Sequence, residues 1–358
     1  MGDVLGLGMT HYPLLSAPDE HLASILRYTL EDPEIPPALC DPANWPEQMR
    51  GEWAADQGRA AATPYRAALL RGLREVRRAL DAFAPDAVVI WGDDQYENFR
   101  EDVIPAFCVF AYDDLEIRPF AKISAESLKG RPNVWGETAE ATRRVHGNRD
   151  IAKALVTGLL DESFDVAYAY RPLHYDGLAH AFLNAVLYLD YDRGGFPYPV
   201  IPMTINCYGR RVISHKGTFR RLDATRPLDP PSPSPRRCFD LGRAIARVAR
   251  ASPYRIALIA SSSWSHAFLV DKTWRLQPDV ASDRRLYDWF TNGSLARWRD
   301  VTLSEIEDAG QQELLNWFPL AGAMHELGAH LAWSEIVETY VYTSTKVSAI
   351  FEPVRVSG

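Results

Sequence analysis

Two histidines that each follow an apolar, strand-like run are the residues of this chain best suited to chemistry. His11 comes shortly after the run at residues 4–8, and His266 comes shortly after the run at residues 256–260. A side chain just past the C-terminal end of a buried strand lies where open α/β sheets bind their ligands. Imidazole serves both as a metal ligand and as an acid or base near neutral pH. The two histidines therefore predict a binding site at one edge of a sheet.

The pattern along the chain predicts the sheet that would bring these histidines together. Short apolar runs alternate with segments of helical periodicity, which is typical of a mostly parallel sheet covered by helices on both faces. The predicted strands are 4–8, 86–91, 105–111, 164–170, 199–206 and 255–260, with a last strand at 348–353. The predicted helices are 65–83, 150–160, 178–189, 238–251, 283–291, 303–317 and 322–340.

The length of 358 residues fits a single α/β domain over residues 1–358 that is interrupted by two long insertions. The first, at about 17–63, is rich in proline, acidic residues and tryptophan, and the second, at about 208–237, is rich in proline and basic residues. Segments of this length inside a compact domain are lids, partner surfaces or disordered loops. For the second insertion all three interpretations stay open.

Composition narrows the class of protein. A formal net charge of −8 argues against nucleic acid as the main partner, because phosphate binding needs a dominant basic surface. No apolar run reaches 18 residues and no cleavable leader is visible at the N-terminus, so we expect a soluble, cytoplasmic protein with no membrane partner. The four cysteines are scattered without zinc-binding spacing and are expected to be reduced thiols.

Five short segments stand out along the chain, in this order: His11-Tyr-Pro-Leu-Leu, Val200-Ile-Pro-Met, Cys238-Phe-Asp-Leu-Gly, Trp264-Ser-His266 and Glu313-Leu-Leu-Asn-Trp317. This is the order found in class III extradiol ring-cleaving dioxygenases. The chain resembles this family, and in particular the catalytic β subunits of protocatechuate 4,5-dioxygenases.

The resemblance implies a non-haem iron(II) site held by two histidines and one glutamate, with open positions for a catecholate and dioxygen. By this resemblance the first histidine ligand is His11 and the carboxylate ligand is Glu313. His266 matches the histidine that does not bind the metal. It is expected to take a proton from a substrate hydroxyl and to donate one as the O–O bond breaks.

The second histidine ligand is missing. The family places it shortly after a strand, and here that segment reads Gly92-Asp93-Asp94-Gln95, so that Gln95 stands at the ligand position. An amide oxygen binds late divalent metals less tightly than imidazole does. Three outcomes stay open: Gln95 ligates weakly; a neighbour such as Asp94, His174 or His180 replaces it; or the site holds no iron.

A second departure concerns substrate binding. Relatives carry Asp-His-Gly before a helix, whereas this chain has Tyr175-Asp176-Gly177, with His174 one residue earlier still. A carboxylate of Asp176 facing the pocket would disfavour an acidic substrate and favour an amine or a neutral phenol. The alternative is that Asp176 only caps the following helix. His174, Asp94 and His180 are the other candidate substrate-binding residues.

These inferences predict a metal-dependent oxygenase that cleaves the ring of a small phenolic or catecholic compound with dioxygen. A homo-oligomer or a complex with a small partner subunit is expected, and residues 17–63 could close the pocket in place of such a partner. Two alternatives stay open. The chain could be a non-catalytic subunit of a dioxygenase complex, or a metal-dependent hydrolase or lyase on the same fold.

Overall fold

The computed structural model describes residues 1–121, 132–175, 177–210 and 227–355. Its strands are β1 (Val4–Met9), β2 (Ala87–Gly92), β3 (Phe107–Phe110), β4 (Leu115–Ile117), β5 (Arg143–Val145), β6 (Ala167–Ala169), β7 (Val200–Ile205), β8 (Ile256–Ser261), β9 (Leu331–Val337) and β10 (Lys346–Phe351). Its α-helices are α1 (Ser24–Leu30), α2 (Pro37–Cys40), α3 (Glu47–Trp53), α4 (Arg59–Phe83), α5 (Arg149–Asp161), α6 (His180–Leu189), α7 (Pro235–Ala251), α8 (Val280–Thr291), α9 (Leu303–Asp308) and α10 (Phe318–Leu327).

Eight of these strands form one sheet in the order β6-β3-β7-β2-β8-β1-β10-β9. The four central neighbours, β7, β2, β8 and β1, run parallel. Strand β3 runs antiparallel to β7 and parallel to β6, and β10 runs antiparallel to both β1 and β9. Every residue of the four parallel strands is buried, as expected when helices cover both faces. The predicted α/β fold with a mostly parallel sheet is confirmed.

The two faces of the sheet contact two separate hydrophobic cores. Along β2, Val89 and Trp91 point into the core covered by α5, α7 and α10, and Val88 and Ile90 point into the core covered by α4 and α6. This alternation is the period of two that a strand imposes on its side chains. The apolar run therefore has no polar face, which is why it is recognisable in the sequence as a buried strand.

Two of the predicted C-terminal helices were wrong in extent or type. The segment 322–340 is not one helix, because α10 ends at Leu327, Gly328 takes a left-handed φ of 60°, and the chain then forms β9 at the sheet edge. The segment 303–317 is also interrupted. There α9 ends at Asp308, Gly310 has a φ of 65°, and a separate 3-10 turn, Gln312–Asn316, precedes α10.

The first insertion is folded against the body of the protein. Residues 17–63 form α1, α2, α3 and the start of α4, and Trp45, Met49 and Trp53 are buried in the core on the α4 side of the sheet. The Glu52 side chain accepts hydrogen bonds from the backbone N–H groups of Tyr340 and Val341, both at 2.9 Å. Of the second insertion, residues 211–226 lie outside the described ones. No described helix is long and apolar enough to cross a membrane.

Glycine in β1 lets α10 and the turn before it approach the sheet closely. A Cβ added at Gly8 would lie 2.2 Å from the Trp317 ring, and one added at Gly6 would lie 2.3 Å from the Met324 sulfur. Trp317 is fully buried, and its Nε1 donates to the Ser262 carbonyl at 3.3 Å. The close contact therefore fixes the turn Gln312–Asn316 over the C-terminal ends of β1 and β8.

We expect Gly8→Ala to lower the free energy of unfolding by about 1–3 kcal/mol, because the added methyl group overlaps a buried ring that has no room to move. Gly51→Ala is the matched control, since that glycine lies in the exposed face of α3 with nothing within 4 Å of an added Cβ. It should stabilise the protein by up to about 1 kcal/mol through helix propensity. Urea unfolding of the two variants measures the difference, and equal stabilities would contradict the packing argument.

Candidate metal and active site

The C-terminal ends of the four parallel strands meet at one edge of the sheet, and each is followed by polar side chains. His11 follows β1, Asp93 follows β2, Tyr208 follows β7 and His266 follows β8. Glu313 reaches the same edge from the turn Gln312–Asn316. Parallel strands place all their carboxyl ends on one side of the sheet, so residues distant in sequence converge there.

His11 is held in one orientation inside this site. It is 2% exposed, and its Nδ1 lies 2.9 Å from the Ser261 carbonyl oxygen. Because a carbonyl oxygen only accepts hydrogen bonds, Nδ1 carries the hydrogen and Nε2 keeps its lone pair. That Nε2 lies 3.4 Å from Glu313 Oε2 and 3.7 Å from Asp93 Oδ1. A buried imidazole fixed through one nitrogen, with the other facing carboxylates, is the usual arrangement of a metal-ligating histidine.

The two carboxylate oxygens of Glu313 have different surroundings. Oε1 accepts hydrogen bonds from the Tyr208 hydroxyl and from Gln95 Nε2, the latter at 3.0 Å. Oε2 is buried without a hydrogen bond from any described residue, although His11 Nε2 and His266 Nε2 lie 3.4 and 3.3 Å away. Burial alone would raise the pKa of Glu313, but the imidazoles of His266 and His11, in their protonated forms, lower it well below its usual range. Oε2 is therefore a buried anionic oxygen without a donor, which suits a bound cation.

Gln95 presents its amide nitrogen to this cluster. Its Nε2 lies 2.8 Å from the Tyr208 hydroxyl, 3.0 Å from Glu313 Oε1 and 3.1 Å from Asp93 Oδ2. Carboxylate oxygens accept hydrogen bonds, so the network places the amide N–H groups, not the amide oxygen, against Asp93 and Glu313. Gln95 thus connects the ends of β2 and β7 with the turn that carries Glu313.

Asp93 and His180 form the other side of the site. Asp93 is fully buried, and burial together with the charge of Glu313 raises its pKa. His180, the first residue of α6, has its Nδ1 2.9 Å from Glu97 Oε2 and its Nε2 4.0 Å from Asp93 Oδ2. Burial would lower the pKa of His180, but the charge and hydrogen bond of Glu97 raise it to about 10. The ligand atoms of His11, Asp93 and His180 all lie within 4.8 Å of one another, which makes these three a candidate metal-binding group.

His266 also contacts Glu313 but does not belong to this group of three. It is 6% exposed, and its Nδ1 lies 2.8 Å from the Trp264 carbonyl oxygen, so that Nε2 is free to face Glu313. The backbone of His266 pairs with Ser344 and donates to the carbonyl of Gly310 at 2.8 Å. These contacts hold the imidazole beside Glu313, with Nε2 facing the carboxylate.

Asp94 and His174, two other residues predicted to belong to the site, make contacts outside it. The carboxylate of Asp94 accepts backbone hydrogen bonds from Glu97, Asn98 and Phe99, and so shapes the loop after β2. Burial, followed by the charge of Glu97, raises its pKa to about 7. His174 is exposed, with its Nε2 2.7 Å from Asp102 on the surface. Asp176 lies outside the described residues.

The structure thus brings together His11, Gln95, His180, His266 and Glu313, while Asp94 and His174 make other contacts. The sequence predicted no role for Glu97 or Tyr208, and for Asp93 it left open a turn residue after a strand or a metal contact. The position of Asp93 directly after β2 was a usable signal, because His11 also lies within two residues of the end of its strand. Nothing in the local sequence indicates that Glu97 reaches back to the first turn of α6.

Comparison with known proteins shows which family part of this chain is similar to. Residues 228–352, which include His266 and Glu313, match the family described as the catalytic LigB subunit of aromatic ring-opening dioxygenase. The resemblance to the class III extradiol dioxygenases is thereby confirmed. The matched residues do not include His11 or Gln95.

Relatives with assigned names point the same way. The chain is 30% identical over 194 residues to a 2,3-dihydroxyphenylpropionate/2,3-dihydroxicinnamic acid 1,2-dioxygenase of Paraburkholderia phymatum, covering 54% of this chain and 47% of the relative. It is 31% identical over 193 residues to the enzyme of the same name from Burkholderia vietnamiensis, with the same two coverages. The chain spans about half the length of the curated relatives it matches. Among solved structures, an uncharacterized protein of Escherichia coli K12 is 13% identical, with a TM-score of 0.46. The alignment covers 78% of this chain and 91% of that protein's chain, and the likeness is too weak to bear on function.

One buried carboxylate connects the two segments that carry His266 and Glu313. Asp283, in the first turn of α8, accepts hydrogen bonds from the backbone N–H of Ser265 at 3.1 Å and from Gln311 Nε2 at 2.7 Å. Burial raises its pKa from 3.8 to about 7. The folded protein therefore keeps this proton to a higher pH than the unfolded chain does. The resulting stabilisation is present below about pH 4 and is lost as the pH rises through about 7.

We expect Asp283→Asn to reduce the loss of stability between pH 5 and pH 7.5, because an amide does not titrate. Between these two pH values the variant should lose less unfolding free energy than the original chain, by more than about 1 kcal/mol, since one pKa unit corresponds to about 1.4 kcal/mol. Urea unfolding at the two pH values measures it. Asp279→Asn is the control. Burial alone would raise the pKa of Asp279, but its contacts with Lys272 and Ser282 lower it, so this variant should keep the original slope over the same range. Equal slopes for all three proteins would show that Asp283 is not protonated in the fold.

Proposed function

We propose that this protein is a non-haem iron oxygenase that opens the ring of a small catecholic or phenolic compound beside its hydroxyl groups, with both atoms of dioxygen entering the product. One observation carries the proposal. His11 Nε2 and His266 Nε2 lie 3.4 and 3.3 Å from the same unpartnered oxygen of Glu313, although these residues come from three distant chain segments. The similarity to ring-opening dioxygenases gives this arrangement its chemical meaning.

The donor set fits a divalent cation. His11 offers a lone pair and Glu313 offers a buried anionic oxygen. Further ligand atoms are available from Asp93 and His180 beside them. Iron(II) bound there would bring the diol and dioxygen together and supply the redox chemistry of ring opening. No described residue donates a hydrogen bond to the buried Glu313 Oε2, so a cation bound there would be the partner of this oxygen.

His266 is the proposed acid and base. Its Nδ1 is engaged by the Trp264 carbonyl, so Nε2 is the nitrogen that can take a proton from a substrate hydroxyl and return it later in the reaction. Its hydrogen bond to a backbone carbonyl also fixes the ring plane, which a proton-transferring group needs. The negative charge of Glu313 at 3.3 Å stabilises the imidazolium that results.

The substrate and the assembly are further proposals. The relatives are named for diols that carry an acidic side chain, and for this chain we propose a small diol without fixing its substituent. Asp176 stays a predicted substrate contact that would disfavour a carboxylate there. A cytoplasmic location and assembly into a homo-oligomer or with a small partner subunit also stay predictions.

Anaerobic loading with iron(II), followed by oxygen-consumption measurements against a panel of catechols, tests the function. We expect oxygen uptake with at least one diol together with a yellow ring-opened product. A protein that binds iron tightly but consumes no oxygen with any catechol or 2-aminophenol would sink the proposal.

We expect His266→Ala to bind the metal as the original protein does and to lose turnover by about 10²–10⁴-fold, the usual contribution of a general acid or base. Steady-state oxygen consumption and metal content of the same sample are the two measurements. His330→Ala is the matched control, because this histidine is exposed and lies at the end of the loop after α10. A loss below about tenfold would remove His266 from proton transfer, and a loss of metal would make it a ligand.

A further inference from the structure

We propose that Asp93 and His180 complete the metal site in place of the missing histidine, so that the second imidazole comes from the first residue of α6 and not from the loop after β2. The proposal rests on the proposed function in requiring a metal at this site. It assigns to Gln95 the role of an anchor for two carboxylates.

Distances between the candidate atoms support this ligand set. Two atoms that each lie about 2.1 Å from one ion are at most about 4.2 Å apart. His11 Nε2 and Asp93 Oδ1 lie 3.7 Å apart, and His180 Nε2 and Asp93 Oδ2 lie 4.0 Å apart. Glu313 Oε2 is 3.4 Å from the same nitrogen of His11. The ligand atoms of the group of three all lie within 4.8 Å of one another, so no pair has to close by more than about 0.6 Å to reach one ion.

The contacts of His180 are those of a prepared ligand. Glu97 accepts a hydrogen bond from the His180 backbone N–H through Oε1, at 2.9 Å, and contacts Nδ1 through Oε2, also at 2.9 Å. One carboxylate thus fixes both the start of α6 and the plane of the imidazole. Nε2 is left facing Asp93 and the site. A carboxylate behind a ligating histidine is a recurrent feature of metal sites, where it fixes the tautomer and raises ligand basicity.

The contacts of Gln95 argue against ligation by its amide oxygen. Only the oxygen of an amide binds a cation, whereas here the nitrogen faces Asp93 Oδ2 and Glu313 Oε1 at 3.1 and 3.0 Å. Rotating the amide by 180° would place its oxygen against both carboxylate oxygens, which is repulsive. A neutral donor that holds two carboxylates apart is therefore the role that the geometry favours for Gln95.

The charge of the proposed set also differs from that of the family. Two histidines and one glutamate leave a divalent ion with one uncompensated positive charge. With both Asp93 and Glu313 ionised, the two carboxylates balance a divalent ion in a buried site, where an uncompensated charge is costly. The chain thus has glutamine in place of the expected histidine at position 95, and the carboxylate of Asp93 lies next to the proposed metal position.

Cobalt(II) binding without substrate or oxygen tests the proposal, with affinity from calorimetry and the number of imidazole ligands from X-ray absorption. We expect two imidazoles in the original protein, in Gln95→Ala and in the exposed control His330→Ala. His180→Ala should retain one imidazole and bind cobalt at least about tenfold more weakly. Asp93→Asn should keep two imidazoles and also bind more weakly. Glu97→Gln, which keeps a hydrogen-bonding side chain behind His180, provides a variant less disturbing to α6 and should weaken binding while keeping both imidazoles.

Two results overturn the assignment: an unchanged imidazole count and affinity in His180→Ala, or the loss of a protein ligand in Gln95→Ala. These failures are distinct from a failure of the proposed function. If the protein cleaves catechols but its cobalt binding does not depend on His180, the proposed function is supported and this ligand set is wrong. Cobalt binding through His180 in a protein that cleaves no diol would do the reverse.

Discussion

The cost of burying two neighbouring carboxylates is the constraint on which this structure depends. Asp93 is fully buried and Glu313 nearly so, and no described lysine or arginine forms an ion pair with either. Uncompensated buried charge is among the most expensive features that a fold can hold. The charge of these carboxylates is stabilised instead by imidazoles and neutral hydrogen-bond donors, so the fold must hold His11, His266 and Tyr208 at fixed positions. The whole edge of the sheet is organised by that requirement.

The fold meets the requirement by placing each group on a rigid element. The central parallel strands deliver their last residues to one edge, and glycines in β1 let Trp317 and Met324 pack against the strand itself. Ser262 then fixes the turn from both sides, since its hydroxyl donates to the Glu313 carbonyl and its own carbonyl accepts from the Trp317 indole. Hydrogen bonds from side chains to backbone carbonyls, together with the packing of Trp317 against β1, therefore set the distance between the strand ends and Glu313.

Part of this was predictable from the sequence. Buried strands have no polar face and stand out as apolar runs, so the parallel sheet and the convergence of His11 with His266 followed from position alone. The strand β9 was missed because its amphipathic residues fit a helical period and the left-handed Gly328 that ends α10 has no unique signature. The sequence could not predict which end of the Gln95 amide faces the carboxylates. The nitrogen donates hydrogen bonds and the oxygen accepts them, and only the folded structure shows which atom points towards the site. The pairing of Glu97 with His180 was equally hidden, since it joins segments more than 80 residues apart through side chains alone.

The scatter of the site residues along the chain has a thermodynamic consequence. Residues 11, 93, 180 and 313 come together only in the folded state, so an ion held by them closes loops that the unfolded chain leaves open. Such an ion acts as a reversible cross-link between the first strand and the segment before the last helix. At a free concentration about 1,000 times its dissociation constant it would add about 4.1 kcal/mol to stability. The supply of metal would then regulate the lifetime of the fold as well as the chemistry at its edge.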